Sequence, residues 1–255
     1  MQNYRVRLII GVVIALIAVV SYFMKTDENP VTGEKQKVSL TVDQEIKLGL
    51  QSAPEMIAEF GGEYRDQKLQ AYVDRVGSKI VQSTEAGRSP YKFDFHLLAD
   101  ANTVNAFALP GGQIFITYAL LNRLKTEDQL AGVLGHEIGH VINRHSAEHI
   151  AKQDLTQGLI QATDIATGDQ GMITRFVGSM INMKYGRSDE LESDDYGVKY
   201  MIQSGYKPEA MIEVMQILKE ASGGGNQPEF MSTHPSPDNR IEKLKEVIAK
   251  YRKSG

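Results

Sequence analysis

The pattern of apolar and polar positions divides the chain into one continuous apolar run, a series of helical segments and a short region of strand-like alternation. The apolar run covers residues 8–24 and contains no charged residue. At 1.5 Å of rise per residue, a helix of this length reaches ~25 Å, near the lower limit for crossing a bilayer. We therefore predict a membrane-spanning helix at 8–24, with a cleaved signal peptide as the alternative.

The charges around this run predict its orientation. Arg5 and Arg7 precede it, and the positive-inside rule places them in the cytoplasm and the chain after Met24 on the extracytoplasmic, periplasmic side. The polar stretch that follows, with Asn-Pro and Thr-Gly pairs, is typical of a linker. The predicted organisation is a cytoplasmic N-terminus (1–7), a single-pass anchor (8–24), a linker (25–40) and a soluble domain (41–255).

Helical spacing of apolar residues dominates the soluble domain. Thr41 and Gln44 form a possible capping box at the start of a helix that runs to about Phe60, and a second helix is predicted near Asp66 to Ser83. The later segments, up to the last helix that starts near Ser236, show the same spacing. These patterns predict a domain that is mainly helical.

Strand-like alternation is confined to the region before the central helix. Residues 91–98 alternate between apolar and polar side chains, and 104–109 and 113–117 flank the breaker Pro110-Gly111-Gly112. The last two segments predict a hairpin or a tight strand pair. The fold class is therefore α+β, with a small β-sheet beside a majority of helices.

The strongest chemical signal is the His-Glu-x-x-His pattern of residues 136–140. A possible capping box, Thr126 to Gln129, precedes it and predicts a helix here. On that helix His136 and His140 share one face and can hold one Zn²⁺ ion at ~2.0–2.1 Å through ring nitrogens. Glu137 then lies beside the ion, where it can take a proton from water and pass it to a leaving amine. The alternative is a core helix whose histidines only make hydrogen bonds.

Three glycines on the same helix form a second stripe, Gly132, Gly135 and Gly139. Glycine inside a helix costs ~1 kcal/mol relative to alanine. Three of them on one face therefore predict that another backbone packs closely against this helix.

Two further histidines follow the motif at the same spacing. The helix is expected to continue towards Gln153, and at ~100° per residue His145 then lies about 180° around the helix from His136. We therefore expect His145 and His149 to face away from the metal, on a solvated side with Arg144.

A catalytic zinc site normally has three protein ligands and an open position for water, so another ligand is needed. The acidic stretch 186–195 opens a helix on which Glu190 and Asp194 share a face. Glu190 could bind the metal, and Asp194 could accept the outer N–H of a ligand histidine and fix its tautomer. The alternative is an acidic helix start that the helix dipole favours.

The amino-acid composition excludes several classes of functional site. The 255 residues include no cysteine, which excludes disulfides, thiolate metal sites and a cysteine nucleophile. The net charge of -4 argues against a nucleic-acid partner. A hydrophobic content of 42% is enough for one sizeable core.

Four blocks of sequence, in this order, resemble the HtpX/BepA-type membrane-linked zinc metallopeptidases, which are Ste24-like zincins. The blocks are Asn105 to Gly112, the His136–His140 motif with Arg144-His145, Glu190 with Asp194, and Thr233-His234-Pro235 with Arg240. The resemblance covers roughly 41–251 and is to the stand-alone peptidase domain of the family.

The resemblance implies a zincin-like domain with one Zn²⁺ per subunit. In it His136, His140 and Glu190 hold the metal, Glu137 is the catalytic carboxylate, and Asp194 supports a ligand histidine. A further block, at His234, lies near the metal in the family.

We therefore hypothesise that His234, which follows a predicted glycine-rich loop at 223–228, also reaches the active site. There it occupies the open zinc position in a resting state or stabilises the oxyanion. Arg240 binds a substrate carboxylate or, equally, forms a structural ion pair.

Substrate is expected along the edge strand, with Asn105, Ala106 and Phe107 as candidate contacts. The alternative is a covered edge that binds nothing.

The sequence thus predicts a zinc-dependent endopeptidase. The resemblance implies that its substrates are misfolded or stalled membrane and envelope proteins, so that its partners are protein or peptide substrates and the membrane. The alternative is a membrane-tethered, chaperone-like binding factor whose metal site is normally closed.

Overall fold

The computed structural model describes residues 12, 13, 16, 17, 19–160, 178–181, 183–221, 228–235 and 239–254. The strands are β1 (Thr26–Glu28), β2 (Lys35–Lys37), β3 (Asp94–Leu98), β4 (Ala106–Ala108) and β5 (Gln113–Thr117). The helices are α1 (Val42–Glu59), α2 (Gln67–Ser83), α3 (Tyr118–Leu121), α4 (Glu127–Ile142), α5 (His145–Ile160), α6 (Arg187–Gln203), α7 (Ala210–Ala221), α8 (Glu229–Thr233) and α9 (Arg240–Ser254). The prediction of a mainly helical chain with a small β-sheet is confirmed.

The three-stranded sheet has β5 at its centre. Strand β3 pairs with β5 in parallel, and β4 pairs with it antiparallel, so that Phe107 lies opposite Phe115. The predicted strand pair is therefore present, and β4 forms one edge. Gly111 in the connecting turn has a φ of 83°, and a Cβ there would lie 2.4 Å from the Cα of Ile46. Only glycine lets the turn pack this closely on α1.

Helix α4 lies at the centre of the domain and is buried from Gln129 to Ile142. It packs against α6, α2, α7 and strand β4. At its start the Thr126 hydroxyl accepts a hydrogen bond from the Gln129 backbone N–H at 3.2 Å, as predicted. The reciprocal bond is shifted by one residue, because the Gln129 side chain accepts the N–H of Lys125 at 2.6 Å.

The glycine stripe of α4 faces the backbone of α6. A Cβ on Gly139 would lie 3.1 Å from the Cα and the carbonyl oxygen of Ser193, and one on Gly135 would lie 3.4 Å from the oxygen of Gly197. The predicted close packing of a second backbone is confirmed at these two positions. The third glycine, Gly132, faces the side chain of Met211 instead.

Helix α4 does not continue to Gln153, so that prediction is wrong. It ends at Ile142, and Arg144 takes a left-handed conformation with a φ of 56° before α5 begins at His145. A non-glycine residue in this region is uncommon and needs support from its surroundings.

Arg144 provides that support through a buried ion pair, which also contradicts the predicted solvated face. Its Nε donates to Glu45 Oε1 at 2.9 Å, and its Nη1 donates to Asp27 Oδ2 at 3.0 Å. Both Arg144 and Glu45 are buried. Removing one partner of such a pair typically costs about 3–5 kcal/mol, because the other charge stays buried.

The polar segment 25–40 packs on the end of α4 rather than acting as a free tether. Strands β1 and β2 pair antiparallel. The amide of Asn29 donates to the carbonyl of Ile142 at 2.8 Å, and the amide of Gln36 donates to that of Asn143 at 2.6 Å. These bonds satisfy carbonyls that a helix end leaves without an intrahelical partner.

The predicted anchor is described only in part. Its described residues between 12 and 24 are helical, and their large apolar side chains are exposed. Across the described part of the chain, none of the helices has both the length and the apolar character that a bilayer crossing requires. Residues 8–11, 14, 15 and 18 of this span, and 223–227 of the predicted loop, lie outside the described residues. The membrane span therefore stays a prediction.

Candidate metal centre

Four side chains from three parts of the chain bring donor atoms to one point. His136 and His140 come from α4, Glu190 from α6, and His234 from the residue after α8. All four residues are buried, and their donor atoms lie within 4.8 Å of one another. The structure thus places four of the predicted site residues together, although His136 and His234 are 98 positions apart in the chain.

The spacing of the donors matches a tetrahedral metal site. The Nε2 atoms of His136 and His140 are 3.0 Å apart, and those atoms lie 3.6 and 3.4 Å from the two oxygens of Glu190. His234 Nδ1 lies 3.1 Å from Glu190 Oε1 and 3.4 Å from His136 Nε2. Four ligands at ~2.0–2.1 Å from a tetrahedral ion would stand about 3.3 Å apart. The observed distances scatter around that value.

A carboxylate and a guanidinium set the tautomer of His136. Its Nδ1 lies 3.0 Å from Asp194 Oδ1, so that the ring N–H donates outward and the Nε2 lone pair faces the centre. Arg240 holds Asp194 in turn, with Nε to Oδ2 at 2.7 Å and Nη2 to Oδ1 at 2.8 Å. The contact predicted for Asp194 is therefore present.

A second chain of contacts sets the tautomer of His140, and it starts at His145. The Nε2 of His145 lies 3.0 Å from a carboxylate oxygen of Glu192, which can only accept. With its Nε2–H directed at Glu192, His145 presents the lone pair of Nδ1 to His140 Nδ1, 2.8 Å away. His140 Nδ1–H donates to it, and the Nε2 lone pair of His140 is left facing the centre.

This arrangement fits a divalent cation. Two imidazole lone pairs and a carboxylate face one another in a buried space, which is unfavourable without a positive charge between them. Among the residues that the structure describes, three buried carboxylates, Glu137, Glu190 and Asp194, lie near one buried guanidinium, Arg240. When all three are ionised, the remaining charge matches that of one divalent ion. Nitrogen and oxygen donors without thiolate are compatible with zinc.

The surroundings shift the pKa values of His136 and His140 in opposite directions. Burial lowers the pKa of His140 well below its usual value, so that its ring is neutral, as a ligand must be. Burial also disfavours the charged form of His136, but Asp194 and Glu190 outweigh it and raise the pKa of His136 to about 9. A metal ion therefore has to displace a proton from His136, and acid weakens metal binding.

Glu137 lies beside the donors without belonging to them. Its Oε1 is 3.7 Å from His234 Nε2, and both carboxylate oxygens are buried with no hydrogen-bond partner among the described residues. Burial raises the pKa of Glu137, against the lowering effect of His234 and His136. A carboxylate in this environment is a better proton acceptor than an exposed one, and it is free to receive a partner.

The other predicted residues divide into two groups. Asn105 and Phe107 line a cavity that His234 also lines, and Ala106, the first residue of β4, lies between them in the chain. Arg240 is buried against Asp194 and lies 3.0 Å from Glu190 Oε2. Its contacts correspond to the predicted structural ion pair rather than to an exposed carboxylate-binding site.

The contact of His145 with His140 is the feature of the site that sequence reasoning missed. The expectation that His145 faces away from the metal is wrong, because the turn at Arg144 directs it behind His140. The signal was the Arg-His pair after the motif, but helical spacing alone cannot reveal a left-handed residue.

Comparison with known proteins agrees with this geometry. The family model described as Peptidase family M48 matches residues 67–248, which include all four donors. The mitochondrial metalloendopeptidase OMA1 of Schizosaccharomyces pombe is 31% identical over 235 residues, covering 90% of this chain and 68% of that protein. The beta-barrel assembly-enhancing protease of Yersinia pestis is 30% identical over 224 residues, which cover 83% of this chain and 45% of that protein. The beta-barrel assembly-enhancing protease of Escherichia coli is 26% identical over 233 residues, which cover 84% of this chain and 46% of that protein. The chain thus spans just under half the length of these two bacterial relatives.

The contact between His145 and His140 yields a test. Replacing His145 by alanine removes the acceptor that orients the His140 ring, so we expect metal affinity to fall by about 10- to 100-fold. Competition with a chelator of known affinity measures this. His149→Ala is the matched control, since His149 is half-buried in the same helix and bonds to Gln153. Wild-type affinity in the His145 variant would show that the contact does not support the metal.

Proposed function

Because the chain belongs to peptidase family M48, we propose that it is a zinc-dependent endopeptidase with Glu137 as its general base. The metallopeptidase class predicted from the sequence, and the resemblance that suggested it, are confirmed at the level of the family. The finer statements of metal identity, site roles and substrates are our proposal. The observation that carries it is the buried set of four donors with an unpartnered carboxylate beside it.

In this proposal His136, His140 and Glu190 hold the zinc ion. When bound, zinc polarises a carbonyl and lowers the pKa of a coordinated water to about 7. Asp194 and His145 hold the two imidazoles with their lone pairs directed inward. These contacts keep the two imidazoles in one orientation, so that no free energy is needed to reorient them during the reaction.

Glu137 carries the proton. Its raised pKa and its oxygens without other partners support a role in which it accepts a proton from the attacking water. The same carboxyl then donates that proton to the amine that leaves when the peptide bond breaks. The second role needs a group whose pKa lies closer to neutral than that of an exposed glutamate, and burial supplies this.

His234 is the fourth donor, and we propose that it closes the site at rest. A catalytic zinc site needs one position for water or substrate, and His234 Nδ1 is close enough to take it, at 3.1 Å from Glu190 Oε1 and 3.4 Å from His136 Nε2. The residue follows a short helix, α8, rather than lying within a long one. Its displacement would open the position without disturbing the other three ligands.

The edge strand β4 supports an extended peptide as substrate. Asn105 O accepts the N–H of Thr117, and Leu109 N–H donates to Gln113 O, so these alternate residues face β5. Ala106 and Ala108 lie between them and direct their backbone groups to the outer edge. Ala106 and Ala108 are both buried, so a substrate strand adds there by main-chain hydrogen bonds once the groups that cover this edge move aside.

For the biological role we propose quality control of misfolded or stalled membrane and envelope proteins. Two of the bacterial relatives are named as beta-barrel assembly-enhancing proteases, and the fungal relative as a mitochondrial metalloendopeptidase. The charge-free run 8–24 after Arg5 and Arg7 supports a single-pass anchor with residues 41–255 on the periplasmic side. The partners in this proposal are unfolded protein substrates and the membrane.

A second candidate is a membrane-tethered, chaperone-like binding factor. The position of His234 among the metal donors favours it, because that arrangement is closed to water. Glu137 argues for the enzyme, since binding alone needs no buried carboxylate at this place.

Glu137→Gln separates the two candidates. It keeps the shape of the side chain but removes the base, so we expect metal content to be unchanged and hydrolysis of an unfolded protein such as casein to fall by about 10²- to 10⁴-fold. The rate of casein cleavage by the full chain and its metal content are the measurements. Full complementation of a deletion phenotype by this variant would favour the binding factor.

His234→Ala tests the closed resting state. Three ligands remain, so we expect the variant to keep its metal and to cleave casein faster than the wild type does. His96→Ala, on strand β3, serves as the control. Unchanged cleavage and unchanged coordination would remove His234 from the site, and a slower rate with full metal content would assign it to oxyanion stabilisation instead.

A further inference from the structure

The hairpin formed by β1 and β2 lies between the predicted anchor and the helical domain. Residues 19–24 are helical, and β1 begins at Thr26. The ammonium group of Lys37, in β2, donates to the carbonyl oxygen of Phe23 at 2.6 Å. The hairpin is therefore joined to the end of the predicted anchor both by the chain itself and by a side chain.

The same hairpin holds the C-terminal end of α4. Gln36, next to Lys37 in β2, is buried, and its side-chain amide donates to the carbonyl of Asn143 at 2.6 Å. The buried amide of Asn29 donates to Gln36 Oε1 at 3.0 Å and to the carbonyl of Ile142 at 2.8 Å. Because these groups are buried, losing one partner leaves the other without a hydrogen bond, which is unfavourable.

The two carbonyls that the hairpin binds belong to the turn after α4. Ile142 and Asn143 directly precede Arg144, whose φ of 56° is left-handed. The side chain of Arg144 returns to the hairpin, where its Nη1 donates to Asp27 Oδ2 at 3.0 Å. A left-handed residue other than glycine is unfavourable and persists only where its surroundings hold it. The hairpin supplies such contacts both to the backbone before the turn and to the side chain at the turn.

The turn determines where His145 lies. His145 is the first residue of α5, and its Nδ1 is 2.8 Å from Nδ1 of the metal donor His140. Strand β2 also packs against α5. A change of backbone conformation at Arg144 would move the start of α5 and separate the two rings. A continuous set of contacts thus connects the hairpin to one of the metal donors.

From these contacts we infer that the β1–β2 hairpin is a positioning element of the metal centre, with Asn29 and Gln36 as its positioning residues. They hold the turn at Arg144 in the conformation that places His145 behind His140. The inference rests on the proposed zinc site and adds a coupling between that site and the predicted anchor. A displacement of the anchor that draws the hairpin away from α4 weakens metal binding, and bound metal in turn stabilises the docked hairpin.

Asn29→Asp in the full chain tests the contact with α4. Aspartate keeps the oxygen that accepts the N–H groups of Val31 and Thr32, but it lacks the N–H that bonds to Ile142. We expect zinc affinity, measured by competition with a chelator of known affinity, to fall by about 5- to 30-fold. Lys35→Ala is the matched control, since Lys35 is exposed on β2 and should leave the affinity unchanged.

A double variant separates positioning from a general loss of stability. If the hairpin acts through His145, Asn29→Asp causes no further loss of zinc affinity in a chain that already carries His145→Ala. Equal losses in the two backgrounds, or wild-type affinity in the folded Asn29 variant, overturn the inference and leave the peptidase proposal intact. A wild-type chain that binds no zinc removes the proposed metal site, and the inference with it.

Arg144→Gly and Arg144→Ala test the turn itself. Both variants lose the ion pairs with Asp27 and Glu45, but glycine adopts the left-handed conformation without the steric cost that alanine meets. We expect the glycine variant to bind zinc about 5- to 30-fold more tightly than the alanine variant does. The same chelator competition measures both affinities. Equal affinities would show that the conformation of the turn does not position His145, and would overturn the inference.

Discussion

The structure depends on one electrostatic constraint, which is that several lone pairs and carboxylates meet where water is excluded. His136, His140 and Glu190 direct donor atoms at one point, with Glu137 and Asp194 close by. Burying such a set is unfavourable unless a cation balances it. Arg240 balances part of the charge from behind Asp194 and Glu190. The other contacts of the site hold these groups around one point, where a metal ion would balance the remaining charge.

The fold supplies the rigidity that this arrangement needs. Gly135 and Gly139 let α6 approach α4 closely, and this approach brings Glu190 and Asp194 within reach of the two histidines. At the other end of α4, the left-handed Arg144 turns the chain so that His145 packs behind His140. The buried pair of Arg144 with Glu45 stabilises that turn. The close helix packing and the sharp turn thus both position His136 and His140.

The sequence predicted the features that local patterns encode. The spacing of His136 and His140, the cap at Thr126 and the glycine stripe each depend on residues within a few turns of one helix. Glu190 and Asp194 were open to a second interpretation until the resemblance was considered, because an acidic helix start has a common electrostatic cause of its own. The strand pair around Gly111 was predictable from its breaker residues.

Non-local contacts account for the features that the sequence did not predict. Arg144 was expected in solvent because its partner, Glu45, lies 99 positions earlier in the chain and no spacing rule connects them. The segment 25–40 has the composition of a tether, yet the amides of Asn29 and Gln36 bond to the end of α4. Composition shows how polar a segment is. It does not show whether the side chains of that segment form hydrogen bonds with the end of a distant helix.

The most direct test of the central claim is X-ray absorption spectroscopy of the metal in the purified full chain. The account predicts one zinc ion per chain, surrounded by nitrogen and oxygen atoms at ~2.0–2.1 Å. It also predicts that the Glu190→Ala variant binds the ion more weakly and with one oxygen ligand fewer. A chain that binds no stoichiometric metal, or a spectrum that Glu190→Ala leaves unchanged, would contradict the claim that these side chains form a single metal site.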